Sequence, residues 1–150
     1  MKSVVPLLTA NTTGFDCGDG ALNRWLHRYA KQNEANNFSR THVLVDGQTT
    51  LGFYTLSASS IDLTARDFGS ANAPDPIPAI LLGRMAVSLE HQAQGNGKLM
   101  LVDALEKTQA VTEKAGVAVM LVHPKASAID YYLRFGFHRM PGHDALWIRI

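Results

Sequence analysis

The sequence predicts an α/β fold, a mixed β-sheet with helices on both faces. Three observations carry that expectation. Strand-like and helix-like apolar periods follow one another in the order β-α-β-β-β-α-β-α-β. Val117 to Val122 is almost wholly apolar, as suits a central strand covered on both sides. Ile80 to Ser88 leads through a glycine-bearing turn into a long helix, Gly97 to Ala115. With Val117 to Val122 this makes a parallel strand–helix–strand unit.

The remaining elements follow in order. Val4 to Leu8 reads as a short edge strand, limited in its pairing by Pro6. Asp16 to Gly20 is a turn able to cap a helix. From Ala21, the apolar residues Leu22, Trp25, Leu26, Tyr29 and Ala30 recur at helical spacing. Thr41 to Val45 and Thr49 to Ser57 are strands joined at Asp46-Gly47, a strong hairpin signal. Asp62 to Pro78 loses all periodicity, and its proline-rich part, Asn72 to Pro78, predicts a loop. Ala126 to Phe135 is a short helix ended by Gly136, and Ala145 to Ile150 closes the sheet.

Composition narrows the class. A chain of 150 residues predicts one domain with a real core. Hydrophobic residues make up 46% and charged residues 18%, which is ordinary for a globular protein. No apolar run is long enough to span a bilayer, and the N-terminus lacks the apolar centre of a signal peptide. The single cysteine, Cys17, has no partner for an internal disulfide and no flanking base, so it reads as structural. A cytoplasmic protein is expected. The net charge of +1 does not announce a nucleic-acid binder, yet the charge is uneven. Arg24, Arg28, Lys31 and Arg40 face only Glu34, a local surplus of +3 and a candidate RNA-binding surface. The six histidines show no metal-ligand spacing, so no metal is expected.

The chemistry concentrates after the Ile80–Ser88 strand. Gln92-x-x-Gly95-x-Gly97 sits where strand turns into helix. Glycines allow positive φ and close approach of main chain to a ligand. The first helical amides lack intrahelical partners, and the helix dipole adds partial positive charge. Such a turn holds a pyrophosphate. It is not a dinucleotide fingerprint, because no third glycine follows at the required distance. It is not a P-loop, because Gly97-Lys98 is followed by Leu99.

Nearly the whole chain resembles the GCN5-related N-acetyltransferase (GNAT) family, and within it the TacT/AtaT-type toxins. The resemblance rests on three segments: Phe15-Asp16-Cys17-Gly18 with Ala21-Leu22-Asn23-x-Trp25-Leu26; Pro74 to Pro78 with Leu82-Gly83-Arg84-Met85-Ala86-Val87 and the Gln92 turn; and Asp130-Tyr131-Tyr132-Leu133-Arg134-Phe135-Gly136-Phe137. The third departs from the family's Phe-Tyr-x-x-Phe-Gly-Phe in having Tyr131 first. The resemblance implies a GNAT fold and acetyl-CoA as co-substrate. It assigns the cofactor to Met85, Ala86 and Val87 and to Gln92, Gln94, Gly95, Asn96, Gly97 and Lys98. Tyr132 becomes the proton donor to the departing thiolate. It further implies that the acceptor is the α-amine of an amino acid charged on tRNA. A ribbon-helix-helix antitoxin and a homodimer also follow from it.

The acceptor chemistry bears on the base. Lysine side chains titrate near 10.4, but an α-amine near 7.7–8.0, lower still when its carboxyl is esterified. An aminoacyl-tRNA therefore needs little more than water to take its proton. Glu90, just past the strand, is a candidate base and equally a solvated turn residue. Two other readings stay open: an acetyltransferase of small amines or protein N-termini, and a non-catalytic acetyl-CoA-binding module.

Overall fold

The computed structural model describes residues 1–150. Along the chain run β1 (Lys2–Pro6), α1 (Gly20–Arg28), α2 (Ala30–Ala35), β2 (Arg40–Asp46), β3 (Thr49–Ile61), α3 (Ala65–Phe68), β4 (Ile77–Val87), α4 (Asn96–Val111), β5 (Val119–Val122), α5 (Ile129–Phe135), β6 (His138–Arg139) and β7 (Leu146–Arg149). The strands pair in the order β1-β2-β3-β4-β5-β7-β6. β4 and β5 are parallel, while β1–β2, β2–β3, β5–β7 and β6–β7 are antiparallel. The sheet is mixed, as the sequence predicts.

Several boundaries differ from expectation. The first strand stops at Pro6, not Leu8; Leu7–Thr9 turn as a 3₁₀ segment, with Leu7 buried. Proline has no N–H to continue a ladder. The first helix does not run through Tyr29 but is reset there, and α2 begins at Ala30. Tyr29 turns outward while Ala30 stays fully buried. The stretch expected to be irregular holds α3, started by Thr64, whose Oγ1 accepts from the Asp67 amide at 3.0 Å. This is the Ser/Thr N-cap pattern, short enough to escape periodicity. β4 begins at Ile77 rather than Ile80, α4 ends at Val111, β5 begins at Val119, and β6 is additional to the predicted strands.

Two compact units can be told apart. The first comprises Met1–Ser57 and Gly83–Ala104. Its core is Leu7, Phe15, Leu26, Ala30, Val43, Phe53 and Ala86. The Asp46-Gly47 hairpin forms as expected, with Gly47 at φ 61°. Asp19 caps α1, its carboxylate accepting from the amides of Ala21 and Leu22. Tyr54, fully buried, donates from its hydroxyl to Asp103 on α4 at 2.5 Å.

The second unit comprises Ala58–Leu82 and Leu105–Ile150. Its core is built from Ile61, Leu63, Phe68, Ile77, Val119, Leu121, Met140 and Trp147. β4 pairs β5 from Ala79↔Val119 to Leu82↔Val122, and β5 pairs β7 from Val119↔Arg149 to Val122↔Leu146. β5 is buried at all four positions, as its composition requires. α5 ends at Gly136, φ 117°, whose amide bonds to the Leu133 carbonyl. The Phe137 amide reaches back to Tyr132 O at 3.0 Å, closing the left-handed cap.

Candidate active site

β4 outruns its parallel partner. The β4–β5 register ends at Leu82↔Val122, and Gly83–Val87 extend beyond it. Within the first unit, the Arg84 amide is held at 2.9 Å by Thr55 Oγ1, and the Ser88 amide donates to Leu51 O at 2.8 Å. Met85, Ala86 and Val87, assigned to the cofactor by sequence, therefore lie on a strand fixed through its β3 neighbour.

The turn after β4 is held by its own side chains. Gln92 Nε2 donates to Val87 O at 3.0 Å and to Cys17 O at 3.1 Å. Asn96 is 2% exposed, its Nδ2 donating to His91 O and its Oδ1 accepting from Lys2 Nζ, both at 2.8 Å. Gln94 Nε2 donates to Glu90 O at 3.4 Å. The side chains of Gln92 and Asn96 thus build the turn, and what they leave for a ligand is main chain. Ala93 (φ 59°) and Gly95 (φ 83°) take left-handed conformations that aim the peptide planes.

The glycines of this turn are not there for want of room. A Cβ built on Gly95 or Gly97 meets nothing within 4 Å. Packing therefore does not demand glycine at Gly97, whose backbone is ordinary helix. Asn96, Gly97 and Lys98 form the first turn of a 16-residue helix, where the amides have no i−4 carbonyl within the helix to meet, the kind of group that holds an anion.

The segment Phe15 to Asn23 braces that turn. Asp16 Oδ1 accepts from the Gly18 amide and Asn23 Nδ2, both at 2.8 Å, which lowers the Asp16 pKa. Leu89 N donates to Asp16 O at 2.9 Å, and Gln92 reaches Cys17 O. Cys17 is buried and free, its amide donating to Asn23 Oδ1. This supports the structural reading of the cysteine. It also gives the Phe15–Gly18 motif a job, since that segment positions the Gln92 turn.

In the second unit, Tyr132 stands on α5 with most of its surface buried. Its ring meets Phe137 edge-on (5.2 Å, 74°) and Tyr131 likewise (5.5 Å, 83°). Burial, and secondarily Tyr131, pushes its pKa up to about 12. Tyr131 is more exposed, and burial raises its pKa as well. Tyr132 is therefore a neutral phenol at any physiological pH, able to donate.

The basic residues divide. Arg24 and Arg28 are exposed on α1 and Lys31 on α2, beyond the reset at Tyr29. Arg40 is taken up locally, donating to Glu34 O at 3.0 Å and Asn37 Oδ1 at 2.5 Å and pairing with Glu34 Oε2 at 3.5 Å. Glu90 is exposed in a 3₁₀ turn. No cluster of three or more His, Cys, Asp or Glu could hold a metal. Sequence reasoning passed over Arg84 and Trp25: the Arg84 guanidinium lies 4.1 Å from the Trp25 ring centroid. A lone arginine in an otherwise apolar strand is the signal that could have found it.

A mixed sheet, a strand running past its parallel neighbour and a glycine turn at a helix start define an acyl-CoA-type transferase of the GNAT fold. No family model matches the chain. The tRNA-acetylating toxin of Mycobacterium tuberculosis (strain ATCC 25618 / H37Rv) is 32% identical over 133 residues, 87% of this chain and 80% of that one. KacT, solved as a tyrosine-to-phenylalanine mutant, matches with TM-score 0.88 at 26% identity, covering 99% of this chain and 94% of that one. AtaT complexed with acetyl-methionyl-tRNAfMet matches with TM-score 0.88 at 23% identity, covering 99% and 95%, a likeness of fold. AtaT has also been solved with acetyl-CoA and with the C-terminus of the antitoxin AtaR. The chain belongs to the family of the tRNA-acetylating toxins.

Proposed function

We propose that this chain is an acetyl-CoA-dependent N-acetyltransferase that acetylates the α-amino group of an amino acid charged on tRNA, and is the toxin of a toxin–antitoxin pair. The 133-residue match to a tRNA-acetylating toxin carries this reading. The open amides of the phosphate turn support it. The partners that follow are an antitoxin, of the ribbon-helix-helix type, and a second copy of the chain. No helix is long and apolar enough to cross a membrane, and an enzyme acting on charged tRNA would work in the cytoplasm.

Acetyl-CoA supplies an acetyl group activated as a thioester. The amides of Asn96, Gly97 and Lys98 hold its pyrophosphate, and the Met85–Val87 strand holds the arm that leads to the thioester. As the amide forms, nitrogen loses one proton and sulfur gains one. Tyr132 donates the proton to sulfur. A phenol of pKa about 12 is a weaker acid than a thiol near 8.5, so free transfer would run uphill. The donation is therefore concerted with loss of the nitrogen proton, which restores the phenol. No general base is required for an amine that arrives neutral, and Glu90 is left in solvent.

The test is to incubate the protein with labelled acetyl-CoA and total charged tRNA. Label is expected on the amino acid of the tRNA. Label on free amines or on protein N-termini, with none on tRNA, overturns the reading.

A further inference from the structure

Within the first unit, one charge is placed against ordinary expectation. Arg84 lies in β4 among apolar residues and is half-buried. It shares a face of the strand with Ala86, which packs in the core with Phe15, Leu26 and Phe53. Its guanidinium is 4.1 Å from the Trp25 centroid, and Trp25 in turn stacks on Phe53 at 6.2 Å and 12°. The cation is thus fixed at the end of a stack of rings. Its main-chain amide is also fixed, by Thr55 Oγ1.

No carboxylate answers this charge. Arg84 forms no ion pair, in contrast to Arg40, which pairs with Glu34. Desolvation lowers the pKa of Arg84, which marks a group held partly out of water. Stacking on Trp25 offsets part of that cost. An apolar residue would gain as much from the same contact without desolvating a charge. The stack occupies one face of the guanidinium and leaves its rim of N–H donors free. That rim matches an oxyanion, carboxylate or phosphate, in two-pronged fashion.

We propose that Arg84, seated on Trp25, is a binding subsite for the acceptor, and that the group it takes is a phosphate of the acceptor's 3′-terminal nucleotides. This rests on the function proposed above. Arg84 directly precedes the Met85–Val87 strand assigned to the acetyl donor, so what it binds lies next to the transfer. An amino acid esterified to tRNA has no free carboxylate, so the anions it brings are phosphates. A free amino acid would bring a carboxylate to the same rim.

Arg84→Gln and Arg84→Lys decide the matter, read by steady-state kinetics on aminoacyl-tRNA and on a methyl ester of the same amino acid. The preference for tRNA over methyl ester, as a ratio of kcat/KM, is expected to fall at least tenfold in Arg84→Gln. The fall should come through KM on tRNA, with partial rescue by Lys. Calorimetry should give an acetyl-CoA affinity within a few-fold of wild type, and circular dichroism a native fold. An unchanged ratio, or equal losses on both acceptors, overturns the subsite. A loss confined to free amino acids as acceptors overturns the phosphate assignment. Binding of a short single-stranded RNA, followed by tryptophan fluorescence in a Trp147→Phe background, separates the two proposals. If wild type acetylates no charged tRNA yet binds this RNA tenfold better than Arg84→Gln, the proposed function falls and the subsite stands.

Discussion

In the proposed transfer, Tyr132 is the proton donor. Tyr132→Phe keeps the ring and its edge contacts with Phe137 and Tyr131. Acetyl transfer should slow about 10²–10⁴-fold, the usual worth of a positioned acid. Single-turnover kinetics at saturating acetyl-CoA measures this, and a near wild-type rate sinks the assignment. The same hydroxyl leaves a mark on stability. The folded protein keeps the Tyr132 proton up to about pH 12, while the unfolded chain releases it near pH 10. Between those values the unfolded state binds fewer protons, so stability falls as pH rises, by on the order of 2–3 kcal/mol across the window. Below pH 10 the effect vanishes. Urea titrations from pH 9 to 12 should show a slope that is shallower in Tyr132→Phe.

The element scale is set by the turn that opens α4. The side chains of Gln92 and Asn96 are committed to Cys17, Val87, His91 and Lys2, so the proposed pyrophosphate is left to the amides. Gly97→Val tests this directly. A Cβ at this position meets no protein atom within 4 Å, so the fold should survive apart from a few tenths of a kcal/mol of helix propensity. It fills the space over the amides, and acetyl-CoA affinity should drop tenfold or more, about 1.4 kcal/mol. Calorimetric binding equal to wild type in a folded variant removes the pyrophosphate from this turn. The brace from Phe15 to Asn23 explains why a motif so far upstream accompanies the Gln92 turn. The two are joined by Leu89 N to Asp16 O and by Gln92 to Cys17 O.

At the scale of the whole molecule, a chain of net charge +1 must meet a polyanion through local charge. Arg24, Arg28 and Lys31 are exposed and unpaired, whereas Arg40 is engaged by Glu34 and Asn37. Replacing the first three by Ala should weaken tRNA binding and flatten the dependence of its logarithm on log salt. The slope should change by close to one unit for each phosphate that the variant no longer neutralises. Arg40→Ala should instead loosen the α2–β2 connection with little effect on that slope. Filter binding across salt concentrations distinguishes the two. An unchanged slope in the triple variant assigns the stripe to solvent or to a protein partner.

Much of this was legible in the residues. Alternating periods gave a mixed sheet, Asp46-Gly47 its hairpin, Gly136 its helix end and Gln92-x-x-Gly95-x-Gly97 its turn into α4, because each depends on local backbone preference or on a short-range apolar pattern. Likewise, the α5 motif singled out Tyr132, while only the fold shows that burial pushes its pKa up to about 12. What depended on distant contacts stayed hidden. The helix reset at Tyr29, the capture of Arg40 by Glu34, and the use of Gln92 and Asn96 as struts all follow from which groups meet after folding. Arg84 is the sharpest case. In the sequence it is one charge in an apolar strand. Only packing sets it over Trp25 with no acid beside it, because pairing and desolvation are properties of neighbours that the chain brings together from 59 residues away.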